Sequence, residues 1–112
     1  MSASDIEFAR YIVDQFDTLG PIRSKRMFGG HGIFFDGLMF ALIADGVLYL
    51  KADEVSAPRF EDHNLNRFTY YKKDKPFHLS YYQLPEEALD DHDILLDWSR
   101  AAIDAALRQA KH

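Results

Sequence analysis

Five histidines, at positions 31, 63, 78, 92 and 112, are the side chains most suited to hold a metal, but they are well separated. None forms an H-x-x-x-H pair or another compact ligand pattern, so no metal site is assigned. His31 stands between Gly30 and Gly32, where small neighbours let a ligand approach the backbone. That segment lacks the Lys-Ser/Thr ending of a phosphate loop, and a bend between strands is the better reading. Ser80 and Ser99 lie outside any G-x-S-x-G elbow, which leaves serine hydrolase chemistry without support. Asp90-Asp91-His92-Asp93 has the density of an acid/base or cation cluster, yet acids at the start of a helix explain it more simply. The chain contains no cysteine, which excludes disulfides, thiolate nucleophiles and Cys-zinc sites. No catalytic residue and no cofactor site is assigned.

The basic side chains carry more information. Arg23, Lys25 and Arg26 crowd one predicted strand, and Lys72, Lys73 and Lys75 crowd a predicted hairpin tip. Either cluster can contact a phosphate backbone or an acidic protein surface. The plainer reading makes the first a guard against strand addition and the second a solvated tip. Tyr70, Tyr71, Tyr81 and Tyr82 have the chemistry to stack on bases, although aromatic strand residues mostly serve packing. The whole chain carries 13 cations against 18 acids, a net charge of −5, and so repels nucleic acid except at a local basic patch.

These side chains must be positioned by a single small fold. At 112 residues, 47% hydrophobic and 28% charged, the chain has the balance of one globular domain. Ser4 and Glu7 have capping-box spacing, and Ile6, Ala9, Ile12, Val13, Phe16 and Leu19 recur at helical intervals before Gly20-Pro21. A helix is predicted over residues 5–19. Gly29-Gly30, Asp36-Gly37 and Asp45-Gly46 then divide four strands, near 22–28, 31–35, 38–44 and 47–52. A short helix is expected near 56–62, with Pro58 in its first turn, then a hairpin of strands 68–72 and 77–84. A last helix, capped by Asp90 or Asp91, runs to about residue 110. The acidic amino terminus does not suit a signal peptide, and the longest apolar run, Leu38 to Ala44, is too short to span a membrane. A cytoplasmic protein without membrane association is expected.

Counting through the two Asp-Gly turns as two-residue loops assigns the sheet faces. One carries Gly32, Phe34, Met39, Ala41, Ile43, Leu48, Leu50 and Ala52, and is expected beneath the helices. The other carries His31, Ile33, Phe35, Leu38, Phe40, Leu42, Tyr49 and Lys51, which is apolar for a surface facing water. Phe35, Leu38, Phe40 and Leu42 are therefore candidate interface residues. Leu96, Ile103 and Leu107 form a second stripe on the last helix, open either to the first helix or to a partner.

Several segments together resemble a known family. Arg26-Met27-Phe28-Gly29-Gly30-His31-Gly32-Ile33, the run from Met39 to Asp53 with its Leu48-Tyr49-Leu50-Lys51-Ala52-Asp53 ending, and Ser80 to Leu89 with Trp98 are similar to the N-terminal domain of the TfoX/Sxy competence regulators. The resemblance covers almost the whole chain. It implies a two-layer α+β domain with an antiparallel sheet, in agreement with the four-strand meander plus hairpin, the N-terminal helix, the short middle helix and the long C-terminal helix read above. Met27, Phe28, Gly29, Gly30 and Gly32 would then be structural motif residues. It also implies a role in transcriptional control of DNA-uptake genes beside a cyclic-AMP receptor protein, without known catalysis. Full-length members continue into a second, C-terminal domain, which this chain is expected to lack.

The leading expectation is a non-enzymatic interaction module that binds a protein partner, with a homodimer as a variant of it. Direct nucleic-acid binding by the basic clusters is the alternative. A ligand pocket or uncharacterised enzyme, with a cavity near Tyr49, Tyr81 and Trp98, is the third.

Overall fold

The computed structural model describes residues 3–27 and 29–111, and side chains within those ranges from Ile6 onward. The Ser4 cap and the motif residue Phe28 lie outside the described side chains. Helix α1 spans Ala3–Gln15 and closes with a 3-10 turn at Asp17–Leu19. Strands β1 (Ile22–Met27), β2 (Gly30–Phe35), β3 (Leu38–Ala44) and β4 (Val47–Lys51) follow as a meander. Helix α2 (Ala57–Asp62) precedes strands β5 (Arg67–Lys72) and β6 (Lys75–Gln83), and helices α3 (Glu86–Leu89) and α4 (His92–Ala110) complete the chain. All six strands pair antiparallel in one sheet of order β1-β2-β3-β4-β6-β5. The architecture is the α+β one expected, and the hairpin joins the meander through β6.

Both Asp-Gly turns form as read. Asp36 and Gly37 have φ of 46° and 84°, and Asp45 and Gly46 have 50° and 76°, the paired positive angles of a two-residue turn matched to strand twist. Phe35 opposes Leu38 and Phe34 opposes Met39, as counting requires. The register holds there, but the faces expected for these residues do not. Ile33 pairs with Ala41, so Phe40 is an extra residue on β3 and makes a β-bulge. One inserted residue reverses the alternation. Ile33, Phe35, Leu38 and Phe40 therefore join Ala41, Ile43, Leu48 and Leu50 beneath the helices, while Gly32, Phe34 and Met39 turn to the opposite side.

The core confirms that placement. Phe40 is fully buried with its ring centroid 5.5 Å from that of Phe16 in α1, and Ile33, Ala41 and Leu50 are fully buried. Phe60 of α2 stacks on Tyr82 at 5.2 Å and meets Trp98 of α4 at 5.0 Å. Burying each such ring contributes roughly 1.5–3 kcal/mol. Leu96 and Ile103 belong to the same core cluster as Ile12 and Phe16, and His92 Nδ1 lies 2.8 Å from Gln15 Oε1 between the two helices. Only Leu107 of that stripe stays exposed. Asp91 caps α4, accepting from Ile94 N–H at 3.1 Å, so the acid-rich segment includes a helix cap.

Ser99 is fully buried within α4, and its hydroxyl has no hydrogen-bond partner. Ser99→Ala is expected to raise stability by about 1 kcal/mol, through better helix propensity and removal of an unsatisfied polar group. A higher midpoint in urea unfolding would show it. A lower midpoint would contradict it.

Candidate interaction surface

The core cluster gathers buried residues of α1, α2, α3 and α4 with those of a single side of the sheet. The opposite side can be read from the ladder, because directly paired residues share a face. Arg23, Lys25 and Met27 on β1 continue into Gly32 and Phe34, then Met39 and Leu42, then Tyr49 and Lys51, Tyr81, and on β5 Phe68 and Tyr70. Side-chain contacts agree with this register. The Tyr49 and Phe68 rings meet at 4.9 Å, and Tyr70 stacks on Phe77 at 5.4 Å. A Cβ on Gly32 would fall 2.5 Å from Met27 Sδ and 3.3 Å from Met39 Sδ, which places both methionines over that glycine.

This face is apolar and aromatic at its centre and basic at its edges. Among the described strand residues there is no Asp or Glu, while Arg23, Lys25, Arg26, Lys51, Arg67, Lys72 and Lys75 are cations. The 18 acids all lie in helices, turns and loops. A molecule acidic overall thus has a basic sheet and an acidic remainder.

The two basic clusters do not form one patch. β1 and β5 are opposite edges of the six-stranded sheet, about 24 Å apart at about 4.8 Å per strand spacing. The first cluster also divides, since Arg23 and Lys25 lie on the open face and Arg26, opposite His31, on the helix side. Lys72 and Lys75 face each other across the second hairpin, and Lys73 occupies its turn. Of the apolar candidates, Phe40, Leu42, Leu96 and Ile103 are buried within the chain, and Phe35 and Leu38 pack against the core. The bulge is the reason for Phe35, Leu38 and Phe40. Met27, Phe34 and Met39, half-buried on the open face, take their place as candidate contacts. The supposed cavity near Tyr49, Tyr81 and Trp98 does not form, because the tyrosines lie on the open face and Trp98 lies in the helix layer.

At the end of β4 the polar groups are paired with one another. Lys51 Nζ lies 5.1 Å from the centre of the Tyr81 ring, and burial lowers its pKa, partly offset by Asp53. Tyr81 is buried and its hydroxyl pushed up to about 12. Asp53 accepts from Ser56 N–H at 3.1 Å while its own N–H donates to Ser56 Oγ at 3.0 Å, a reciprocal pair that closes the turn before α2. The same carboxylate takes both Nε and Nη2 of Arg108, at 2.5 and 2.9 Å, which holds the end of β4 against the last turn of α4.

The motif residues now have physical roles, Gly32 beneath two methionines and Asp53 as the tie to α4. A family model described as the TfoX N-terminal domain matches residues 14–106. The chain belongs to the TfoX N-terminal domain family. It is 35% identical over 92 residues to Protein Sxy of Escherichia coli (strain K12), covering 82% of this chain and 44% of that protein. It is also 35% identical over 68 residues to DNA transformation protein TfoX1 of Aliivibrio fischeri, covering 61% of this chain and 32% of that one. The chain thus spans less than half the length of these TfoX/Sxy relatives. Among the described residues, no helix is long and apolar enough to cross a membrane.

Proposed function

We propose that this TfoX N-terminal domain is a non-catalytic, cytoplasmic regulatory module, acting on DNA-uptake genes through contact with another protein. The observation that carries the reading is the uncovered sheet face, with an apolar centre of Met27, Phe34 and Met39 and cations Arg23 and Lys25 along one edge. An apolar core with a polar rim is the usual anatomy of a protein interface. Membership of the TfoX family, and a relative named as a DNA transformation protein, support the biological setting. A transcription regulator of the cyclic-AMP receptor type is the partner this reading names.

The test is titration of the domain with purified cyclic-AMP receptor protein, followed by calorimetry. Binding is expected, and Phe34→Glu is expected to weaken it at least tenfold, the effect of placing a charge at a desolvated contact. Unchanged affinity in a folded Phe34→Glu protein, or no binding by the parent chain, would overturn the reading.

A further inference from the structure

The second hairpin extends beyond the body of the sheet. β4 pairs with β6 from Tyr81 to Gln83, and Ala52 N–H reaches Ser80 O, but the rest of the β6 ladder, down to Lys75, is made with β5. Residues 71–78 are all exposed. A two-stranded ribbon is marginal in water without further support. Here the Tyr70–Phe77 stack and the 2.7 Å contact between Thr69 Oγ1 and His78 Nδ1 cross-brace it.

Two features of this arm serve a ligand better than they serve folding. Lys72 and Lys75 sit directly opposite each other, a like-charge pair that weakens a hairpin. Lys73 and Asp74 hold φ of 51° and 63° at the turn, where glycine or asparagine would be more comfortable. Residues 63–85 carry Arg67, Lys72, Lys73 and Lys75 against the single acid Asp74, a net charge of +3. With −5 for the chain, the remainder carries −8. The arm is therefore the place where a polyanion meets the least repulsion. It also presents apolar ring surface, with Tyr71 72% and Phe77 42% exposed.

We propose that the β5–β6 arm docks single-stranded nucleic acid, its lysines contacting phosphates and its exposed rings stacking on unpaired bases. Cations with interleaved aromatic rings are the chemistry by which proteins hold single strands without reading sequence. A duplex keeps its base faces stacked away from such rings, and a chain of carboxylates alone offers no flat ring for Tyr71. This site is separate from the contact surface proposed above and does not depend on it.

Fluorescence anisotropy of the full chain with a labelled oligothymidylate of about 20 nucleotides tests the proposal. Binding is expected at low salt. If the three lysines each neutralise a phosphate, affinity falls about 20-fold between about 50 and 200 mM salt. Changing Lys72, Lys73 and Lys75 together to alanine should weaken binding at least about tenfold, and Tyr71→Ala alone about fivefold or more. Arg23→Ala with Lys25→Ala, at the far edge, should leave it unchanged. Circular dichroism melting confirms that each variant is folded, and Tyr71→Ala keeps the test available should the triple variant not fold. No binding by the parent chain at low salt would overturn the proposal. So would equal binding by the folded variants, or equally tight binding of a duplex of the same length or of polyglutamate.

Discussion

Gly30→Ala is expected to destabilise the domain by at least about 3 kcal/mol, enough to lower its melting temperature by roughly 12 °C. An added Cβ would stand 2.0 Å from the carbonyl oxygen of Ile43 and 3.1 Å from its carbon. Those are backbone atoms of the neighbouring strand, so relief requires β2 and β3 to move apart where they are bonded. Because β3 lies in the interior of the sheet and Ile43 is in the core, the strain would spread inward. Gly32→Ala provides the contrast. Its Cβ would meet Met27 Sδ at 2.5 Å, Phe34 Cε1 at 3.1 Å and Met39 Sδ at 3.3 Å, the far parts of side chains on the open face, of which the closest is a flexible methionine that can swing aside. That change should cost about 1 kcal/mol. Thermal melts of both variants check the ordering, and equal losses would contradict it.

Asp53→Ala should cost about 2 kcal/mol near neutral pH, with a penalty that shrinks in acid. The carboxylate accepts from Val55 and Ser56 N–H in the turn before α2 and pairs with Arg108, each contributing about 1 kcal/mol with Arg108 partly exposed. The hydrogen bond from Arg108 is the main influence holding the Asp53 carboxyl well below the usual carboxylate range, with the Ser56 hydrogen bonds and the charge of Arg108 acting in the same direction against burial. A depressed pKa in the folded state means that its stabilisation is fully present above the unfolded value of about 4 and is lost as pH falls below it. The gap between the parent chain and Asp53→Ala in urea unfolding should therefore narrow as pH drops from about 5 towards 2. A gap independent of pH would show that the ion pair contributes nothing.

Much of this fold was legible because turn chemistry is local. Asp36-Gly37 and Asp45-Gly46 announced their hairpins, Gly20-Pro21 ended the first helical region, and acids before Ile94 located a capped helix. The face assignment was legible only from Ala41 onward, past the bulge. Leu38–Ala44 is apolar at every position, so no polar residue marks which side chains meet water, and nothing about Phe40 signals that it stands outside the alternation. From Phe40 back to the start of β2, the expected parity was reversed, which sent Phe35, Leu38 and Phe40 to the core and brought Phe34 and Met39 out. The relation between the basic clusters was illegible for a different reason. It depends on β6 pairing with β4 and leaving β5 at the far edge, a long-range choice that local patterns do not encode. The second hairpin and its lysine-rich tip were legible, but its projection beyond the sheet was not, because the reach of β6 past β4 follows from pairing length.

The two internal methionines provide the most direct measurement of the claim that the helix-free sheet face is the contact surface. Met27 and Met39 both lie on that face, one on an edge strand and one inside the sheet, and Met1 is the chain's third methionine. With 13C-methyl methionine labelling, adding the cyclic-AMP receptor protein is expected to shift or broaden the Met27 and Met39 methyl signals together. Binding detected by calorimetry with both methyl signals unmoved would place the contact elsewhere and contradict the account.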